Sequence, residues 1–167
     1  MTRTPVISFR AATRADLDRA VELIADDSVA ATRTGSFGPA HVAGFEAIQA
    51  SPNDELVVGE HEGRIVATMQ LTFVPGISRN GATRLLVEAA RVDAALRGRG
   101  VGRLFMAHAH QRGVERGCAL AQLTSDKERP DAHRFYRSLG YAQSHEGFKR
   151  PLTTAGALVA EEAARPA

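Results

Sequence analysis

The sequence predicts an α+β fold, and three observations lead there. Two apolar runs, Leu56-Val57-Val58-Gly59-Glu60 and Ile65-Val66-Ala67-Thr68-Met69-Gln70-Leu71, flank His61-Glu62-Gly63-Arg64, which supplies the glycine a hairpin needs. Beyond Gly100 the hydrophobic spacing turns helical. The chain has 167 residues, 44% hydrophobic and 24% charged. That length suits one domain, in which about two thirds of the unfolded surface can be buried.

The elements follow in order. Val6 to Arg10 reads as a first strand. Thr13 precedes Arg14-Ala15-Asp16, a helix start with an acid in its first turn, and Leu17, Ala20, Val21 and Ile24 continue at helical spacing. Gly35 and Gly38-Pro39 break the chain before a second helix, His41 to about Ala50. Ser51 to Asp54 is a turn, and the hairpin strands come next. Pro75 to Gly81 is a loop, and residues 84–92 form another strand. A helix is expected from just after Gly100 to about Glu115, a buried strand from Cys118 to Thr124, and a short helix from Asp131 to Leu139. Gly140 stands where a C-terminal glycine cap belongs. Tyr141 to Leu152 reads as one or two last strands. The expected organisation is one domain over 1–152 and a tail over 153–167.

Composition narrows the function classes. The single cysteine, Cys118, excludes a disulfide within the chain and suggests a reducing compartment. No run approaches the ~18 apolar residues of a membrane helix, and the N-terminus lacks the apolar core of a signal peptide. The expectation is a cytoplasmic protein without a membrane partner. The pI of about 9.1 accompanies a net charge of only +2. Acids interleave with the arginines, so no basic run tracks a nucleic-acid backbone, and no nucleic-acid partner is expected.

Chemistry concentrates at Arg97-Gly98-Arg99-Gly100-Val101-Gly102, between a strand and a helix. A helix N-terminus offers unpaired N–H groups and partial positive charge, and glycines let backbone approach a phosphate. Arg97, Arg99 and Arg103 add positive potential. The loop ends in Gly-Arg, which excludes a Walker loop, and its glycine spacing is not that of a dinucleotide fingerprint. Alone, it is either an anion site or a tight turn joining strand to helix.

Together with a second segment the loop resembles a family. VDAALRGRGVGRLFM, followed some thirty residues on by DAHRFYRSLGY, is similar to the two signatures of the GNAT superfamily of N-acetyltransferases. The resemblance implies a mixed, mostly antiparallel sheet of six or seven strands, about four flanking helices, and central strands that splay where acetyl-CoA enters. It implies that Ala90, Arg91 and Val92 offer backbone groups to the pantetheine arm. Gly98, Gly100, Val101 and Gly102, with Arg97, Arg99 and Arg103, would hold the pyrophosphate. Tyr136 matches the tyrosine that protonates the leaving thiolate. Two positions depart from the signatures: Ala94 replaces a proline, and Arg129 stands where an asparagine often assists CoA. Ser125, Asp126 and Arg129 are the candidates for that support.

Acyl transfer to an amine also needs a base or a water chain. Glu88 is the candidate. At even spacing from Ala90 and Val92, it shares their face unless a bulge intervenes. Glu88 could instead pair with Arg84 or Arg91 or bind the substrate ammonium, and Tyr136 could be a core residue with one bonded hydroxyl. His108 and His110, two apart on a helix, face different ways and make a poor metal pair, and no metal is expected. Cys118 reads as a small buried side chain. His133 and His145 could reach a pocket, and Arg33, Arg79, Arg84 and Arg91 could contribute to an acidic-substrate site.

The sequence therefore predicts acetyl transfer from acetyl-CoA to a primary amine of a small molecule or protein. Residues 30–49 and 75–82 would frame the acceptor. The alternatives are a non-catalytic acyl-CoA sensor of the same fold and a nucleic-acid-binding regulator. The resemblance also implies that a homodimer is a common assembly.

Overall fold

The computed structural model describes residues 4–26 and 34–150. Its strands are β1 (Ser8–Ala11), β2 (Asp54–His61), β3 (Arg64–Val74), β4 (Thr83–Val92) and β5 (Cys118–Gln122). Its main helices are α1 (Leu17–Ala25), α2 (Pro39–Ala50), α3 (Val101–Glu115) and α4 (Pro130–Ser138). The strands form one sheet in the order β1-β2-β3-β4-β5. All neighbours are antiparallel except β4 and β5, which run parallel. No helix among the described residues is long and apolar enough to cross a membrane.

Local chemistry sets the helix ends. Asp16 accepts from the Thr13 backbone N–H at 2.7 Å and from its hydroxyl at 2.8 Å, which starts the helical segment a residue after Thr13. Arg10 donates to Asp16 at 2.7 Å and to Glu60 at 3.1 Å, tying this cap to β1 and β2. Pro39 occupies the first turn of α2, where its missing N–H costs nothing. At the end of α4, Gly140 adopts φ +89°. The Tyr141 N–H donates to the Tyr136 carbonyl at 3.1 Å and the Gly140 N–H to that of Arg137 at 3.0 Å. These are the paired bonds of a Schellman cap.

The sheet buries both faces, and alternation decides what each receives. Val57, Ala67, Met69, Leu71, Phe73, Leu85 and Val87 meet Phe105, Met106 and Ala109 of α3. Each such large side chain contributes about 1.5–3 kcal/mol by leaving water. Gly113 lets α3 approach closely, since a Cβ there would stand 3.1 Å from Leu85. On the opposite face, Val58 packs with Ala12, Leu17 and Phe45 under α1 and α2.

Two expectations are corrected. Residues 141–150 form no strand, so the described sheet has five strands and not six or seven. Gln143-Ser144-His145-Glu146-Gly147 has no apolar alternation to bury, and Phe148 is exposed. The first strand begins at Ser8, leaving Val6 exposed. The tail over 153–167, and residues 30–33 of the expected acceptor frame with Arg33, lie outside the described residues.

Candidate active site

β4 pairs with β5 only over its first residues, where β5 ends. The last matched pair is Leu86 with Gln122, and from Val87 onward β4 has its partner on the β3 side alone. A cleft of about 380 Å³ lies where the pairing stops. It is lined by Ala90, Arg91, Val92 and Arg97 on one side and by Glu128 to Ala132, at the start of α4, on the other.

A bulge shapes this half of β4. Thr68 pairs with Arg91 and Gln70 with Glu88, so three steps on β4 oppose two on β3. Ala89 takes φ +50° there. The extra residue kinks the strand and stands outside the ladder. It also reverses the alternation. Glu88, opposite Gln70, and Arg91, opposite Thr68, share the α1 face. Ala90 and Val92 pack on the α3 side with Leu85 and Val87. The expectation that Glu88 shares a face with Ala90 and Val92 is therefore corrected, and the bulge is the reason.

Glu88 is exposed. Arg84 donates to Gln122 and Arg91 to the Ala90 carbonyl, and neither forms a salt bridge with Glu88 among the described residues. The pairings that offered a purely structural account of Glu88 are not made.

Tyr136 projects from α4 into the α3-side cluster beside Ala90 and Val92. Its hydroxyl makes no hydrogen bond among the described residues. Burial pushes its pKa up, and the Arg129 and Arg91 guanidiniums partly offset this. The phenol therefore stays protonated at neutral pH, and two cations lie near enough to favour its anion. Tyr141 is held differently. The Schellman cap aims it back over Tyr136, ring centroids 5.9 Å apart, and its hydroxyl meets His110 Nε2 at 2.8 Å. Burial and Tyr136 push the Tyr141 pKa up to about 12.

The glycine loop opens α3. Gly100 is the N-cap, at φ +85°, a left-handed conformation that a side chain would strain. It offers no side-chain cap, and the first helical bond is Leu104 N–H to the Gly100 carbonyl. The N–H groups of Val101, Gly102 and Arg103 thus lack helical partners. Gly98, Arg99, Gly100, Val101, Gly102 and Arg103 are not on the cleft lining; they stand beyond it, at the helix start.

The arginines are not equivalent. Arg97 is committed to the Val92 carbonyl at 3.0 Å and Asp26 at 3.1 Å, and Arg103 reaches Ser138 at 3.2 Å. The buried Nε of Arg99 and the buried hydroxyl of Ser125 have no hydrogen-bond partner among the described residues. An orphaned guanidinium Nε directly before an uncapped helix suits an anionic ligand. Gly102 has a second reason to be glycine: a Cβ there would meet the Phe135 ring at 3.3 Å.

Other residues fall outside the site. Burial raises the pKa of Cys118, against the pull of Arg116, so it stays a thiol. His108 packs its ring, tilted, against Phe9 and His110 serves Tyr141. His133 bonds the Asp126 carbonyl at 2.8 Å, and His145 is exposed. Sequence reasoning missed the Phe135–Gly102 contact and the His110–Tyr141 bond. An aromatic directly after a helix-capping glycine was a readable signal for Tyr141; nothing in the sequence marked His110.

Known proteins share this arrangement. The model of the acetyltransferase (GNAT) family matches residues 20–141. The aminoalkylphosphonate N-acetyltransferase of Salmonella typhimurium is 28% identical over 148 residues, 89% of this chain and 93% of that protein. A solved structure from Bacillus halodurans C-125, described as a transcriptional regulator, is 39% identical with TM-score 0.85, covering 88% of this chain and all of its own. A candidate acetyltransferase from Agrobacterium tumefaciens str. C58 is 31% identical with TM-score 0.76, covering 87% of this chain and 99% of its own.

Proposed function

This chain belongs to the acetyltransferase (GNAT) family and is an N-acetyltransferase, and we propose that it moves the acetyl group of acetyl-CoA to a primary amine in the gap between β4 and β5. The observation that carries the placement is the end of strand pairing at Leu86–Gln122. It leaves the backbone of Val87 to Val92 open on one side, beside Tyr136.

The residues fit the cosubstrate. Ala90, Arg91 and Val92 face the cleft and would receive the pantetheine arm, with Arg129 across from them, and Ser125, just after β5, would offer it an unpartnered hydroxyl. The pyrophosphate would sit on the N–H groups that open α3, helped by Arg99. Arg97 would act mainly by holding the loop, given its bonds to Val92 and Asp26.

The chemistry is direct acyl transfer. The amine attacks the thioester carbonyl, and backbone N–H groups near the bulge stabilise the oxyanion. Glu88, on the opposite face from Ala90, takes the amine's proton directly or through water. Tyr136 supplies the proton the departing thiolate needs. Its raised pKa keeps that proton in place, and Arg129 and Arg91 ease its loss. The two groups approach the thioester from the two faces of β4, which suits acceptor and cosubstrate entering from opposite sides.

The name of the Salmonella relative supports a small-molecule acceptor over a protein one. The name of the Bacillus structure favours a regulatory reading instead. Against it, Arg10, Arg19, Arg97 and Arg112 are all paired with carboxylates, which drains the positive charge a nucleic-acid surface needs. A thiol-release assay with acetyl-CoA and a panel of aminoalkyl acids, polyamines and lysine peptides tests the proposal. Acetyl-CoA-dependent release with at least one amine is expected. No release, together with salt-sensitive DNA binding and no CoA binding, would overturn it.

A further inference from the structure

We infer that Arg84 and Gln122 form an anion subsite, so that the acceptor is a short amine carrying an acidic group. The inference rests on the reading above and names its substrate class.

Register puts these groups together. Arg84, Leu86 and Glu88 alternate along the same face of β4. Gln122 lies beside Leu86 on β5, so it shares that face. The Arg84 guanidinium reaches the Gln122 side chain at 3.5 Å, so it leans along the strand toward Glu88. From Leu86 to Glu88 the strand rises only about 7 Å. A cation and an exposed carboxylate thus flank one short stretch of β4. α2 packs on β2, and α1 lies near the other end of β3 and β4, where Arg19 meets the Ile65 carbonyl and Asp93.

Arg84 is poorly satisfied where it stands. It is half-buried, and its Nε is buried with no acceptor among the described residues. The bond to Gln122 is at the long limit for a hydrogen bond. No carboxylate pairs with it among the described residues. Asp54, on the same face, is engaged by Ser51 at 2.6 Å and Thr72 at 2.5 Å, which hold its pKa down. A guanidinium presents a planar fork suited to a carboxylate, phosphate or phosphonate. Glu88 then receives the amine of the same molecule. The polarity is set: acid toward Arg84, amine toward the thioester.

The test compares 2-aminoethylphosphonate with propylamine, a neutral amine of similar length, in wild type, Arg84→Gln and Gln122→Glu. Gln122→Glu keeps Arg84 but places a competing carboxylate beside it, so it serves even if Arg84→Gln folds poorly. Wild type should prefer the phosphonate. Both variants should raise its KM tenfold or more, a loss at least tenfold larger than for propylamine. Equal losses for the two amines, or no loss, would overturn the subsite. If wild type turns over only propylamine, acetyl transfer stands and the subsite falls. If it turns over neither, calorimetry of 2-aminoethylphosphonate with the CoA-loaded protein decides: Arg84-dependent binding supports the subsite while the catalytic reading fails, and no binding removes both.

Discussion

Tyr136→Phe removes a single oxygen, and the structure separates its cost to catalysis from its cost to folding. The hydroxyl has no hydrogen-bond partner among the described residues, so its loss orphans nothing. The stability change should stay well under ~1 kcal/mol. Positioned acid catalysis contributes about 10²–10⁴-fold, or roughly 3–5 kcal/mol of barrier. Tyr141→Phe should behave in the opposite way. It breaks the 2.8 Å bond to His110 and leaves a half-buried ring nitrogen unpaired, costing about 1–3 kcal/mol of stability. The assay is initial-rate thiol release at saturating acetyl-CoA, alongside thermal melts of both variants. Wild-type kcat should also persist to higher pH than an ordinary tyrosine acid allows, because burial raises the Tyr136 pKa. A Tyr136→Phe enzyme within threefold of wild-type kcat, or one with a strongly lowered Tm, would refute the reasoning and make Tyr136 a core residue.

Two further outcomes are expected. Gly102→Leu should cost about 1–3 kcal/mol of stability and lower kcat, because the added side chain must displace Phe135 and with it the helix carrying Tyr136; unchanged Tm and kcat would contradict that contact. Asp16 should set an acid limit on stability. Arg10, then the Thr13 N–H and hydroxyl, outweigh burial and hold its pKa at about 2, below its unfolded value. The stabilisation, on the order of 2 kcal/mol, is present above about pH 4 and is lost as pH falls toward 2. Asp16→Asn should therefore lower Tm at pH 7 and converge with wild type near pH 2, and parallel thermal melts across that range would check it.

Much of this was readable in the chain. Two apolar runs around Gly63 marked the β2–β3 hairpin, and the break at Gly100 marked the start of α3, because local backbone and burial requirements decide both. Gly140 was legible as a cap because its chemistry is local. The bulge at Ala89 was not legible. It depends on β3 and β4 being paired, and no residue type there demands it. Without it the face of Glu88 is misassigned relative to Ala90. The loop arginines looked alike in sequence, yet the fold pairs Arg97 with Asp26 and leaves the Arg99 Nε without a partner among the described residues. Those distinctions arise from long-range contacts. Arg84 was legible as one of four arginines that could serve an acidic substrate, and only the register set it apart by placing Gln122 beside it.

The central claim is that acetyl-CoA enters where β4 and β5 part. Backbone amide NMR during titration with a non-transferable acetyl-CoA analogue tests it most directly. Shifts should concentrate at Ala90 to Val92, Gly98 to Arg103 and Ser125, with little change along β1 and β2. Saturable binding whose shifts fall elsewhere, leaving the start of α3 and the open half of β4 unmoved, would contradict it.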